Sequence, residues 1–171
     1  MRSKRLRHAL GVALVAGAIQ AARADTVFVE PDAFLQQVFG AAPAPQVRWL
    51  DKATQAQLSA VLGHAYPQAR LRYWRSGAKT AWILDEIGKE YPITAGFVVS
   101  GERIDSAQVL IYRESRGEEI HLPAFLRQFV DAQLDGEKLS KHIDGITGAT
   151  MSVDAMQRMA RTALLLNSLT P

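Results

Sequence analysis

Three hydroxyls stand close together near the C-terminus, in the run Asp144-Gly145-Ile146-Thr147-Gly148-Ala149-Thr150-Met151-Ser152. A Thr or Ser hydroxyl among small residues is an accessible nucleophile that can accept a phosphoryl group. Gly148 and Ala149 keep bulk away from it and permit unusual backbone angles. Downstream, Val153, Met156, Met159, Ala160, Ala163 and Leu164 recur at the three-and-four spacing of a helix face. Thr150 to Ser152 are therefore predicted at a helix N-terminus, where free amides and the helix dipole favour an anion. Asp154 is expected in the same first turn, where its charge would oppose that anion. The same residues also suit a glycine turn followed by a Thr or Ser helix cap.

Other blocks upstream point in one direction. Ala81-Trp82-Ile83-Leu84-Asp85-Glu86-Ile87-Gly88-Lys89 is followed by Pro92-Ile93-Thr94, then by Val109-Leu110-Ile111-Tyr112-Arg113-Glu114-Ser115-Arg116-Gly117-Glu118-Glu119-Ile120, then by Phe125 and Gln128-Phe129. Together with Asp144 and Thr147-Gly148-Ala149-Thr150, this order resembles the FMN-binding domains of covalently flavinylated electron-transfer proteins. These include the G subunit of Rnf complexes and the C subunit of sodium-pumping quinone reductases. The resemblance runs from about Trp82 to Leu166. It departs from the family at Thr147, where Ser is frequent, at Phe125, where Trp is common, and at Val130-Asp131, which replace a Gly-Lys pair.

The resemblance implies a cofactor and a way of holding it. In the family a flavin transferase splits FAD and esterifies the FMN phosphate onto the last hydroxyl of the motif, which here is Thr150. The loop carrying Glu114, Gly117 and Glu118 would border the flavin ring, and charge near that ring would shift its potential. Asp144 would be part of what the transferase reads, although locally it could bond turn amides instead. Thr147, Gly148 and Ala149 complete the expected cofactor-binding set. The implied function is that of an electron carrier rather than an enzyme, passing electrons between membrane or periplasmic redox partner proteins. A flavin-bearing subunit of a periplasmic reductase, or a flavin-free module keeping the fold, are the alternatives.

The N-terminal 24 residues read as an export signal: Arg2, Lys4, Arg5 and Arg7 form a basic start, Ala9 to Ala22 an apolar run, and Ala22-Arg23-Ala24 a cleavage site. A periplasmic product of 147 residues beginning at Asp25 would follow. The segment holds five of the 20 Lys and Arg and none of the 17 Asp and Glu, so the remainder has a net charge of −2. Such a balance argues against a nucleic-acid partner. With no cysteine, disulfides, thiolate metal sites and thioether-bound haem are excluded.

After residues 1–24, the chain divides into a helical and first-strand region over 25–80 and a cofactor-binding region over 81–168. Pro31 to Phe39 reads as a helix ended by Gly40, and Lys52 to Leu62 as one capped by Asp51 and closed by Gly63. Leu71 to Arg75, Ala81 to Ile87, Ile93 to Val99 and Ile104 to Tyr112 are rich in β-branched and aromatic residues and read as strands separated by Gly77, Gly88 and Ser100-Gly101. Leu122 to Val130 is predicted helical and Asp131 to Lys138 a polar connector. The fold class is α+β, a single domain in which an antiparallel meander packs with N-terminal and C-terminal helices.

The remaining candidates say less. Arg70, Arg72 and Arg75 around Tyr73 and Trp74 fit a strand with one wet face better than a basic patch. His64, His121 and His142 lack metal-ligand spacing and are assigned surface roles. Asp85-Glu86 and Glu118-Glu119 are adjacent rather than facing, which does not suit hydrolysis by paired carboxylates.

Overall fold

A computed structural model describes residues 25–170, so the expected export signal lies outside the described residues. One six-stranded sheet runs through the molecule in the order β1-β6-β5-β4-β3-β2, antiparallel at every step. Its centre is the expected meander: β3 (Arg70–Ser76), β4 (Lys79–Ile87), β5 (Pro92–Ser100) and β6 (Arg103–Tyr112). Alternation decides which side chains go inward. On β4, Trp82 and Leu84 face one side, while Ala81 and Ile83 face the other. β5 is buried along nearly its whole length because both faces are covered.

Helices supply the two covers. α1 (Pro31–Phe39) lays Phe34 and Leu35 over Ala81, Val98 and Leu110. It approaches so closely that a Cβ on Gly96 would stand 2.5 Å from the Phe34 ring. On the other face, α2 (Lys52–Leu62) and the long α4 (Thr150–Ser168) enclose the larger core. Trp82 stacks on Tyr73 there with ring centroids 4.9 Å apart, and its indole N–H donates to the Thr80 hydroxyl at 3.0 Å. The six expected residues of the α4 stripe are all buried, and Ala155, Thr162, Leu165 and Leu166 join them. α4 is thus enclosed on more than one side.

Some expectations need correcting. Leu122 to Val130 is not one helix: Pro123 opens a single turn, α3 (Pro123–Leu126), and a 3-10 turn (Arg127–Phe129) follows. Phe125 and Phe129 anchor this stretch edge to face, with centroids 5.5 Å apart, and Val130 then turns extended. The supposed connector contains a small hairpin, β7 (Leu134–Asp135) and β8 (Lys138–Leu139), turning at Gly136. Two short strands also went unpredicted. β1 (Thr26–Val27) extends the sheet beside β6, and β2 (Gln46–Trp49) extends it beside β3.

Candidate functional site

Three chain segments meet at one end of the sheet: the β4–β5 turn from Gly88 to Tyr91, the loop that leaves β6 at Arg113 to Gly117, and the N-terminus of α4. Between them lies a cleft of about 310 Å³, lined by Lys89, Glu114, Ser115, Arg116 and the stretch Gly148 to Ser152.

Glu114 holds the first two segments together. One carboxylate oxygen accepts three consecutive amides, from Lys89 at 2.5 Å, Glu90 at 2.7 Å and Tyr91 at 2.9 Å. Partial burial pushes this carboxyl up, but the three amides and the nearby Lys89 ammonium outweigh that and hold it below its ordinary value. Gly88 belongs to the same arrangement, since a Cβ there would stand 2.9 Å from the carboxylate oxygen.

A second contact joins the β6 loop to α4. Tyr112, at the end of β6, donates its hydroxyl to the Arg116 carbonyl and stands 3.0 Å from the Ser152 hydroxyl. Burial pushes the Tyr112 phenol up, and the nearby Glu114, Glu119 and Glu118 carboxylates add to it against the Ser152 hydrogen bond. Gly117 seats in the same corner at φ 91°, where a Cβ would meet Ala149 at 2.9 Å, the Tyr112 hydroxyl at 3.0 Å and Ser152 at 3.1 Å. Its small size serves this contact between loop and helix.

The loop that precedes α4 is tied down at several points. Ile143 is buried, and the Asp144 amide donates to the Gln128 side chain at 2.7 Å. The Ala149 amide then donates to the Ile146 carbonyl at 2.9 Å, closing a four-residue turn. Gly148 takes the third turn position at φ 83°, the left-handed geometry that favours glycine there. A Cβ on Gly148 would meet open space. α4 begins directly afterwards with Ala149 as its uncapped N-cap, so the amides of Thr150, Met151 and Ser152 make no hydrogen bond among the described residues. No acidic residue lies in the first turn, because the helix starts at Thr150 and places Asp154 in the second. The expected opposition from Asp154 is therefore weaker than its sequence position suggested.

The three hydroxyls differ sharply. Ser152 is buried and engaged with Tyr112, and Thr147 is exposed but outside the cleft lining. Thr150 is exposed, lines the cleft, and makes no hydrogen bond through its hydroxyl among the described residues.

Of the other expected site residues, Gly148, Ala149 and Glu114 line the cleft, Gly117 packs behind it, and Glu118 is exposed on the 3-10 turn that follows. Asp144 stands away from the lining with its side chain 82% exposed, 3.5 Å from His142, and no turn amide among the described residues donates to it. Lys89, Arg116 and Tyr112 had not been singled out for the site. Lys89 and Arg116 are brought in by contacts that no local pattern announces. The histidines also differ from a bland surface: His64 bonds buried Glu86 at 2.9 Å, which also accepts from Arg158 at 2.9 Å, and His121 stacks on Phe28.

Among the described residues no cluster of three His, Asp or Glu could hold a metal ion, and no helix is long and apolar enough to cross a membrane. No curated protein and no solved structure matches the chain. Residues 88–165 match the model of the FMN-binding domain. That span begins at the glycine packed under Glu114, includes the β6 loop and the Ile146–Ala149 turn, and ends within α4. The cleft suits the phosphate end of such a cofactor, offering free helix amides and the cations Lys89 and Arg116, and every residue that lines it lies within the stretch that matches the FMN-binding domain.

Proposed function

We propose that the chain is an exported electron carrier holding FMN covalently through a phosphoester to Thr150. The observation that carries this reading is the contrast among the three hydroxyls, since only Thr150 is both exposed and part of the cleft. Attachment would break the pyrophosphate of FAD. The Thr150 oxygen bonds to the FMN-side phosphorus, AMP leaves, and the hydroxyl proton passes to the transferase. The free amides of Thr150 to Ser152, with Lys89 and Arg116 at hand, would hold the single negative charge of the phosphodiester. At about 310 Å³ the cleft lies at the low end of the roughly 300–1,000 Å³ typical of small-molecule pockets. It suits the phosphate and the adjoining part of the ribityl chain.

A tether suits a carrier outside the cytoplasm, where loosely held FMN would be lost by dilution. The flavin supplies the redox chemistry, and the protein supplies the tether, the cations and the field around it. A transferase and redox partner proteins in or beside the membrane complete the proposal, and the exposed Asp144 carboxylate is available to the transferase.

The test is co-expression with a flavin transferase followed by whole-protein mass. Thr150→Ser should gain the mass of FMN less one water, and Thr150→Val should fold and remain unlabelled. An adduct in the Val variant mapped to Thr147 or Ser152 would overturn the assignment.

A further inference from the structure

A second cleft, of about 560 Å³, opens where β1 and β6 meet α3, and its lining is mainly apolar, with Phe28, Val109, Leu126 and Val130 alongside His121 and Arg127. His121 and Phe28 form a parallel aromatic pair at this cleft, with centroids 4.0 Å apart and planes 11° apart. The His121 Nδ1 is 2.5 Å from the Glu118 carbonyl. A carbonyl only accepts, so in the neutral ring the proton sits on Nδ1 and Nε2 carries a lone pair. The cleft therefore combines an apolar floor, a flat aromatic wall and a hydrogen-bond acceptor.

We propose that this cleft binds a small phenolic ring of the hydroquinone class, whose O–H donates to Nε2 of His121 while its ring packs on the apolar lining. A flat ring matches the aromatic wall, a hydroxyl matches the acceptor, and Arg127 offers a donor to a further ring oxygen. Choosing a hydroquinone among phenols rests on the electron-carrier reading; the phenol site itself does not. The cleft is also joined to the FMN site by backbone. Gly117 lies so near Ala149 and Ser152 that a Cβ on it would meet both, and the 3-10 turn Glu118–His121 leads directly from it, spanning roughly 8 Å at about 2 Å per residue.

The experiment uses the chain without flavin, so that failure of the FMN reading leaves it intact. 1,4-Naphthohydroquinone, kept reduced under anaerobic conditions, is titrated while NMR follows the rings of Phe28 and His121. Saturable shifts are expected at both rings. The dimethyl ether of the same compound, which has no O–H, should bind roughly tenfold more weakly, about what one hydrogen bond can supply. His121→Phe keeps the stack but removes the acceptor, and should bind hydroquinone and ether equally. 1-Naphthol should bind the parent chain, and would do so even if the protein carries no electrons. Equal binding of hydroquinone and ether to the parent chain, shifts mapping to another surface, or no saturation would overturn the proposal. Binding that disappears once FMN is attached would overturn it as well, by giving the cleft to the flavin ring.

Discussion

Gly117 gives the sharpest test of how the site is assembled. Replacing it with Ala places a methyl group 2.9 Å from the Ala149 Cβ, 3.0 Å from the Tyr112 hydroxyl and 3.1 Å from Ser152, at a backbone φ of 91°. The left-handed backbone costs an L-residue about 1–2 kcal/mol, and forcing a methyl into a filled corner costs about 1–3 kcal/mol. A total near 3 kcal/mol, at about 3 °C per kcal/mol for a chain of this size, lowers the midpoint of unfolding by roughly 9 °C. Gly148→Ala is the matched control. Its φ of 83° carries the same backbone penalty, but its Cβ would meet open space, so a fall of roughly 3–6 °C is expected. Thermal unfolding of both variants followed by circular dichroism at neutral pH gives the comparison. Equal losses would show that the β6 loop does not press on the helix start, and the account of the cleft as two packed segments would fail.

Glu114→Gln should lower the unfolding midpoint at pH 7, because a carboxylate that accepts three amides is replaced by a weaker neutral acceptor. The folded-state pKa of Glu114 is depressed, so its stabilisation is present above the ordinary value of 4.5 and is lost as pH falls through the lowered folded value; the gap between Gln variant and parent should narrow across that range in calorimetry. At His64 the sign is reversed. The Ala65 carbonyl and then Glu86 raise its pKa against desolvation, so its stabilisation is complete below 6.5 and fades as pH rises through the raised value. His64→Gln should therefore lower the midpoint at pH 5.5 and change it little at pH 9, by a small amount because the side chain is 48% exposed. Asp144→Asn should slow labelling by the transferase while leaving unfolding of the unlabelled chain unchanged, since the carboxylate is exposed and accepts no turn amide among the described residues; normal labelling kinetics would remove its recognition role.

What could be read from the sequence were features with local causes. Pro31 at the helix start and Gly40 after its end bound α1, and Asp51, which accepts the Thr54 amide at 2.7 Å, with Gly63 in the left-handed region, bounds α2. The four central strands announced themselves by their β-branched and aromatic residues and by the glycines between them. β2 did not, because four largely exposed residues are ordinary in loops, and only pairing with β3 across the whole of α2 makes them a strand. The same limit governs the site. Thr150 and Gly148 belong to one contiguous motif, whereas Glu114 reaches amides 23 to 25 positions away and Tyr112 meets Ser152 across 40.

Glu114 also resolves an electrostatic conflict in the cleft. A carboxylate beside a helix N-terminus meant for a phosphate would ordinarily weaken anion binding. Here the oxygen that accepts the three amides faces another concentration of partial positive charge, the backbone of Lys89, Glu90 and Tyr91. Its charge is directed into the β4–β5 turn, and the order it imposes on that turn places Lys89 at the cleft. The negative residue thereby helps build a positive site. Replacing Glu114 with an apolar residue would remove one negative charge yet release the turn that presents the cation, so phosphate retention should weaken rather than improve.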